Sequence, residues 1–163
     1  MKNKYFLAIL ISGAVIILDQ ITKFLVHINM ALHQSIEVIP NFFHLIYIRN
    51  TGAAFGFLAG GRSLSRLIFF TIFSLMAIGC LLYILKNLRS GHKMAILSLS
   101  LILGGAIGNL IDRLRYGEVI DFLDVHWYDW HWPAFNIADS SITMGVILLF
   151  YQIMRKKSIT ILL

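Results

Sequence analysis

The sequence predicts an all-α integral membrane protein with four transmembrane helices, a small outer β-sheet and a surface helix or flap. Two observations support this fold class. Of the 163 residues, 58% are hydrophobic and 13% are charged, whereas soluble domains carry about a quarter charged residues. The apolar residues also form four long blocks, a pattern typical of membrane-spanning helices.

The four blocks predict helices that each cross the bilayer within a single membrane domain, residues 1–163. The expected helices are about 5–28, 67–85, 94–111 and 137–154, and the outer segments are about 29–66 and 113–136. At about 1.5 Å of rise per residue, these helices span roughly 27–36 Å, which matches a hydrocarbon core of about 30 Å. A cleaved signal peptide is not expected, because the first block has no small-x-small site at its end.

The distribution of basic residues predicts the orientation. Eight Lys and Arg residues and no acidic residue lie in the amino terminus, the connection between the second and third helices, and the carboxyl terminus. The other six basic residues and all eight acidic residues lie on the opposite side. Because Lys and Arg favour the cytoplasmic side, both termini are expected in the cytoplasm. This bias explains the net charge of +6, so no nucleic-acid partner is expected.

The outer segments are predicted to hold the sheet and the flap. Residues 36–39 and 42–48 are rich in β-branched and aromatic residues and flank a Pro-Asn turn signal, which predicts a hairpin. Residues 55–66 mix apolar residues, glycines and arginines, which suits a surface-lying helix or a flap. In the second outer segment, the residues expected as interfacial anchors are Trp127, Tyr128, Trp130 and Trp132.

Two pairs of charged residues lie inside or beside the first and third predicted helices. Asp19 and Lys23 are four residues apart on one helix, so they are expected to form an ion pair, and this structural role is weighed against direct catalysis. Asp112 and Arg113 close the third block, one helical turn after Asn109. The glycines just before them favour close helix packing, while Asn109 and Arg113 are donors suited to peptide carbonyls.

Asp121 and Asp139 are the candidate catalytic pair. Asp121 lies in an extended apolar run, and Asp139 lies where the fourth helix begins, where it is also a natural N-cap. The two carboxylates reach the same membrane depth from the two ends of one outer loop. If they approach each other, repulsion keeps one protonated while the other stays ionised, which is the arrangement used by aspartic proteases.

Two other chemistries remain open from the residues alone. Ser140 or Ser141 with Lys23 is a candidate serine–lysine dyad. His126, Asp129 and His131 are candidate metal ligands, but their spacing fits no standard site. The single cysteine, Cys80, is expected to be a small buried packing residue.

Five sequence blocks resemble the prokaryotic lipoprotein signal peptidases, also called signal peptidase II. They are Asp-Gln-Ile-Thr-Lys at 19–23, Asn-Thr-Gly-Ala-Ala-Phe at 50–55, Gly-Ala-Ile-Gly-Asn-Leu-Ile-Asp-Arg at 105–113, Val-Ile-Asp-Phe at 119–122 and Phe-Asn-Ile-Ala-Asp-Ser at 135–140. They occur in order over nearly the whole chain. Ile at position 120 in place of Val is the one departure seen.

This resemblance implies an aspartic endopeptidase of the bacterial inner membrane, without metal or organic cofactor. Such enzymes remove signal peptides from diacylglyceryl-modified prolipoproteins, cutting on the amino side of the lipidated cysteine at the outer face. The partners implied are membrane lipid and lipidated prolipoproteins. Carried over by motif, the catalytic residues are Asp121 and Asp139, and the residues that bind substrate or support the site are Asn50, Asn109, Arg113, Asn136, Asp19, Lys23 and Asp112.

A non-enzymatic membrane transporter or ion-path protein is the alternative from another class. Acidic residues near the membrane also occur in such proteins. Two observations argue against this alternative: the acids lie on one side, and the second and third predicted helices contain none that would continue a path.

Overall fold

Four long α-helices form the membrane-spanning part of the protein. The computed structural model describes residues 2–52 and 63–156, in which α1 is Lys2–Asn29, α2 is Leu64–Asn87, α3 is Lys93–Tyr116 and α4 is Ile137–Lys156. Each helix is long and apolar enough to cross a membrane. The chain is therefore a multi-pass membrane protein, as its apolar blocks predict.

Helix α3 lies at the centre of the bundle and contacts the other three helices. Its glycines allow this close packing. A Cβ atom on Gly104 would lie 2.8 Å from the Cβ of Val15 in α1, and one on Gly108 would lie 2.6 Å from Oδ2 of Asp19. A Cβ atom on Gly105 would contact the carbonyl oxygen of Ala138 in α4. The predicted role of these small residues in helix packing is confirmed.

A four-stranded antiparallel sheet lies at one end of the bundle, here called the sheet end. The strands are β1 (Ser35–Ile39), β2 (Phe43–Asn50), β3 (Val119–Trp127) and β4 (Trp130–His131), in spatial order β1-β2-β3-β4. The turn between β1 and β2 contains Asn41 at φ 58°, a left-handed conformation that Asn tolerates well. The hairpin predicted from residues 36–48 is confirmed.

Two helix bounds differ from the sequence prediction. Helix α2 begins at Leu64, so the end of the segment expected to be a surface helix or flap, residues 55–66, forms its first turn. The rest of that segment, up to residue 62, lies outside the described residues. Helix α3 continues to Tyr116 and ends at Gly117, whose φ of 76° suits glycine as a C-cap. Asp112 and Arg113 therefore lie inside α3 and not after it.

Cys80 is exposed on the surface of α2. The expectation that it packs as a buried residue is wrong. Helix α2 turns most of its side chains away from the other helices, with Phe70 and Leu85 buried, and Cys80 lies on this outward surface. On a membrane-spanning helix such a surface faces lipid, which accepts a small apolar thiol as readily as a protein core does.

Candidate active site

Asp121 is presented by the start of β3. The left-handed Gly117 ends α3, and the chain then enters β3 at Val119, so Asp121 is held close to the end of the helix. In the sheet, Asp121 lies opposite Ile48 of β2. Its side chain is 1% exposed, so Asp121 is a buried carboxyl on a rigid strand.

Asp139 lies in the first turn of α4 and takes part in a reciprocal cap with Asn136. The backbone N–H of Asp139 donates to Oδ1 of Asn136 at 2.9 Å, and the backbone N–H of Asn136 donates to Oδ2 of Asp139 at 3.3 Å. This is a capping box in which Asn136 is the N-cap residue. The capping role that the sequence suggested for Asp139 therefore belongs to Asn136, with Asp139 as its partner three residues later.

The side chain of Asn136 links the two aspartates. Its Nδ2 donates to Oδ1 of Asp121 at 2.7 Å, while its Oδ1 holds the first turn that carries Asp139. The other oxygen of Asp121, Oδ2, accepts from Nδ2 of Asn50 at 3.0 Å. The amide of Asn50 is oriented by the backbone N–H of Gly52, which donates to its Oδ1 at 2.9 Å. Both oxygens of Asp121 thus have fixed donors.

Both aspartates line one cavity of about 510 Å³. The polar part of its wall also includes Asn50, Asn109 and Arg113. The remaining wall is largely apolar and comes from the start of β3, the loop before α4 and the first turns of α4, with Val119, Pro133, Ala134, Phe135, Ile142 and Met144 among its residues. A small set of polar groups in an apolar cavity is the usual form of a site that binds a substrate.

The pKa of Asp121 lies close to neutral pH. Burial and, after it, the neighbouring carboxylate of Asp139 raise the pKa of Asp121 to about 7, against the opposing effect of hydrogen bonds from Asn50 and Asn136. A carboxyl group with this pKa is present in both protonation states at pH 7, as a general acid requires.

The orientation of the Asn109 amide is determined by its neighbours. Its Oδ1 accepts from Nζ of Lys23 at 3.0 Å and from Nδ2 of Asn136 at 3.3 Å. Its Nδ2 must therefore face the other way, and it donates to Oδ1 of Asp139 at 2.8 Å. With the backbone N–H of Asn136 on Oδ2, both oxygens of Asp139 accept hydrogen bonds, as both oxygens of Asp121 do.

Lys23 lies at the centre of a buried ionic cluster behind the aspartates. Its ammonium is 2.9 Å from Oδ2 of Asp19 and 2.8 Å from Oδ2 of Asp112. The side chains of all three residues are at most 2% exposed. The ion pair between Asp19 and Lys23 that the sequence predicts is confirmed, and Asp112, on α3, is a second partner of the same ammonium.

Each carboxylate of this cluster also holds the backbone beside one candidate catalytic residue. Oδ1 of Asp19 accepts from the backbone N–H of Ala138 at 2.9 Å, next to Asp139. Oδ2 of Asp112 accepts from the backbone N–H of Ile120 at 3.1 Å, next to Asp121. The cluster therefore positions both aspartates through the main chain.

Arg113 lines the cavity without pairing closely with Asp112. Its guanidinium lies 5.6 Å from the ring centroid of Phe70, and Nη1 is 3.5 Å from the carbonyl oxygen of Asn109. Although Asp112 is next to Arg113 in sequence, its carboxylate pairs with Lys23 and accepts from the backbone of β3. This leaves the guanidinium directed towards the cavity that contains the aspartates.

Sequence reasoning missed the site role of Gln20. Its Nε2 donates to Oδ2 of Asp19 at 3.2 Å, to Oδ1 of Asp112 at 3.0 Å and to the carbonyl oxygen of Gly108 at 3.2 Å. Its position between Asp19 and Lys23, inside a membrane-spanning helix, is a usable signal, because polar groups at such depth normally need partners.

The serine–lysine dyad is not formed. The hydroxyl of Ser140 donates to the carbonyl oxygen of Asn136, and that of Ser141 donates to the carbonyl oxygen of Ile137, each at 2.9 Å. The ammonium of Lys23 is engaged by Asp19, Asp112 and Asn109. The hydroxyl groups of both serines thus donate hydrogen bonds to backbone carbonyl groups at the start of α4, and Lys23 belongs to the ionic cluster.

Comparison with known proteins identifies the sequence relatives. A profile of the family described as Signal peptidase (SPase) II matches residues 11–155. The lipoprotein signal peptidase of Syntrophus aciditrophicus is 50% identical over 157 residues, covering 96% of this chain and 98% of that protein. The lipoprotein signal peptidase of Geobacter metallireducens is 46% identical over 155 residues, covering 95% and 94% of the two chains.

Solved structures share the fold. One, described as a bacterial membrane enzyme solved by the in meso method at 2.3 Å resolution, is 39% identical with a TM-score of 0.81, covering 93% of this chain and 89% of that chain. A second, at 1.9 Å resolution, is also 39% identical, with a TM-score of 0.76 and coverage of 90% and 91%. The four helices and the small sheet are thus the architecture of a membrane enzyme.

Proposed function

The chain belongs to the signal peptidase II family and is a peptidase, and we propose that it removes the signal peptides of diacylglyceryl-modified prolipoproteins with Asp121 and Asp139 as its catalytic pair. The cut falls on the amino side of the lipidated cysteine. The observation that carries the proposal is that two carboxyl groups from β3 and α4, linked by Asn136, line one cavity at the sheet end of a membrane-spanning bundle.

The two aspartates have similar hydrogen bonds but differ in their position in the fold. Asp139 lies at the amino end of α4, where the helix dipole favours a negative charge. Asp121 has a pKa raised to about 7 by burial and then by the charge of Asp139. Asp139 is accordingly the general base and Asp121 the general acid.

Hydrolysis then needs only these two groups and water. The carboxylate of Asp139 takes a proton from a water molecule while the water oxygen attacks the peptide carbonyl carbon, and Asp121 donates its proton to the carbonyl oxygen. In the second step the C–N bond breaks, the proton held by Asp139 passes to the leaving amine, and Asp121 takes a proton back from a hydroxyl group of the intermediate, which leaves a carboxylic acid. Asn50 and Arg113 face the cavity as donors, which suits them to orient the carbonyl groups of the bound peptide.

The substrate enters from the side of the bundle. Met144 lines the cavity, yet its side chain is 59% exposed on the outer surface of α4. A cavity that reaches this surface of a membrane-spanning helix opens towards lipid. A signal helix anchored by a diacylglyceryl group diffuses in the same bilayer, so lateral entry brings the scissile bond to a fixed depth.

Cleavage by the purified protein in detergent tests the function directly. A diacylglyceryl-modified prolipoprotein peptide is expected to be cut on the amino side of its lipidated cysteine, with the products identified by mass spectrometry. The same peptide without the lipid is the control and is expected to be cut at least about tenfold more slowly, because the lipid positions the bond. Equal cleavage of the two peptides would contradict the proposed substrate class.

The rate of cleavage is expected to fall as the pH rises through about 7, the pKa of Asp121. Asp121 acts in its protonated form, and its pKa is raised to about 7. The protonated carboxyl group is therefore present below pH 7 and is lost above it. Well above the pKa, kcat/KM is expected to drop about tenfold for each further pH unit. Initial rates across this range measure the effect, and a constant rate would remove Asp121 as the acid.

The orientation proposed is that both termini face the cytoplasm and the sheet end faces the outside of the bacterial inner membrane. The eight basic residues of the termini and of the α2–α3 connection support it. In a Cys80→Ser background, a cysteine at Trp130 is expected to react with a membrane-impermeant thiol reagent in intact cells. A cysteine at Arg89 is expected to react only after the membrane is opened, and its labelling in intact cells would reverse the orientation.

A further inference from the structure

A second cavity, of about 630 Å³, lies on the other side of β2 from the catalytic aspartates. It is formed where the end of α1 meets the sheet, and its wall includes His27, Leu32, Tyr47, Arg49 and Glu118. In a strand, successive side chains point to opposite faces. Arg49 therefore faces this cavity, while the next residue, Asn50, faces the aspartates.

A fixed set of hydrogen bonds orders the donors of this cavity. The hydroxyl of the buried Tyr47 accepts from Nε and Nη2 of Arg49, at 3.0 and 2.9 Å, and lies 2.8 Å from Nδ1 of His27. Because the guanidinium can only donate, the hydroxyl proton is left for Nδ1 of His27. A neutral His27 then carries its own proton on Nε2, which makes its ring a second donor in the wall.

The guanidinium of Arg49 is held in place by aromatic rings and faces a carboxylate. It lies 5.8 Å from the ring centroid of Tyr47 and 4.9 Å from that of Tyr116. Its Nη1 is 3.8 Å from Oε2 of Glu118, so the two side chains form an ion pair in the wall. A cation and an anion side by side on one wall favour a ligand that itself carries both charges, because each charge of the ligand then lies beside its opposite.

The position of the cavity indicates where such a ligand comes from. His27 lies in the last turn of α1, a membrane-spanning helix. Phe24, one turn earlier, and Ile28, beside it, are both more than half exposed, as is Leu32 in the wall of the cavity. These apolar side chains are placed to contact lipid, so the cavity lies at the level where phospholipid headgroups begin.

We propose that this cavity binds the phosphoethanolamine headgroup of a membrane phospholipid. Arg49 and His27 donate to the phosphate, as arginine readily does, and Glu118 accepts from the ammonium. The acyl chains extend along the exposed side chains of α1. Since Asn50 follows Arg49 in β2 and donates to Asp121, the bound lipid anchors the strand that also serves the catalytic cavity.

Native mass spectrometry of the purified full chain in detergent tests the proposal. With equal amounts of phosphatidylethanolamine, phosphatidylglycerol and phosphatidylcholine, the wild-type protein is expected to retain phosphatidylethanolamine at least tenfold more strongly. Arg49→Gln is expected to lose this retention at least tenfold. Glu118→Gln is expected to remove the preference over phosphatidylglycerol, because the glycerol headgroup has no ammonium to pair.

Arg115→Gln is the matched control, because Arg115 also lies over the ring of Tyr116, at 5.3 Å, but does not line the cavity. It is expected to retain phosphatidylethanolamine as the wild type does, and an equal loss in the two arginine variants would overturn the site. If the wild-type protein retained the three lipids equally, the proposed preference for the phosphoethanolamine headgroup would be wrong. This comparison needs no variant. If soluble O-phosphoethanolamine bound as tightly as the lipid, the proposal that the ligand is a membrane lipid would be wrong.

Discussion

Replacing Asp121 or Asp139 with asparagine is expected to lower cleavage at least about a thousandfold, because asparagine can neither donate the catalytic proton nor accept one. Asparagine and aspartate side chains are nearly equal in size, so the substitution removes proton transfer while it keeps the packing of the site. The double variant is expected to be no slower than either single variant, since the two groups act as one unit. Turnover of the lipidated peptide by each purified variant measures the effect.

Ser141→Ala is the control for this experiment. Ser141 lies two residues from Asp139, and its hydroxyl donates only to a carbonyl oxygen of its own helix, so cleavage is expected to stay near the wild-type rate. Thermal unfolding in detergent shows whether each variant is folded. A folded Asp121→Asn or Asp139→Asn variant with near-normal turnover would show that this aspartate is not catalytic.

The parts of the fold that depend on local patterns could be predicted from the sequence. The four helices follow from apolar blocks, and the β1–β2 hairpin follows from β-branched residues on either side of a turn. The predicted end of α3, at residue 111, is too early, because the prediction ends the helix where its charged residues, Asp112 and Arg113, begin. Asp112 is accepted there because Lys23 of another helix neutralises it. The glycine at 117, a usual helix stop, was the better signal.

The site was predictable as a set of residues but not as a set of contacts. Spacing within one helix predicts the pair of Asp19 and Lys23, since residues four apart are neighbours. The contacts of Lys23 with Asn109 and Asp112 join residues more than eighty positions apart, which no local pattern encodes. The reciprocal cap of Asn136 and Asp139 was available locally, as a capping residue followed three positions later by an acid.

Lys23→Met is expected to destabilise the protein by about 3–5 kcal/mol, because it leaves the buried carboxylates of Asp19 and Asp112 without their shared cation. The corresponding fall in Tm is on the order of 10 °C. Asp19→Asn added to Lys23→Met is expected to restore part of this loss, since it removes one of the two unpaired charges while its amide oxygen can still accept from Ala138. Thermal unfolding of the purified variants in detergent measures both changes.

Lys4→Met is the matched control, because Lys4 is also a buried lysine of α1 but donates to the carbonyl oxygens of Lys86 and Leu88. Its loss leaves no carboxylate unpaired, so a smaller destabilisation and normal cleavage are expected. Cleavage by Lys23→Met is expected to fall even below its unfolding temperature, since Lys23 orients Asn109 and, through Asp19 and Asp112, the backbone at both catalytic residues. Equal effects of the two lysine substitutions on stability and on cleavage would mean that Lys23 contributes packing alone.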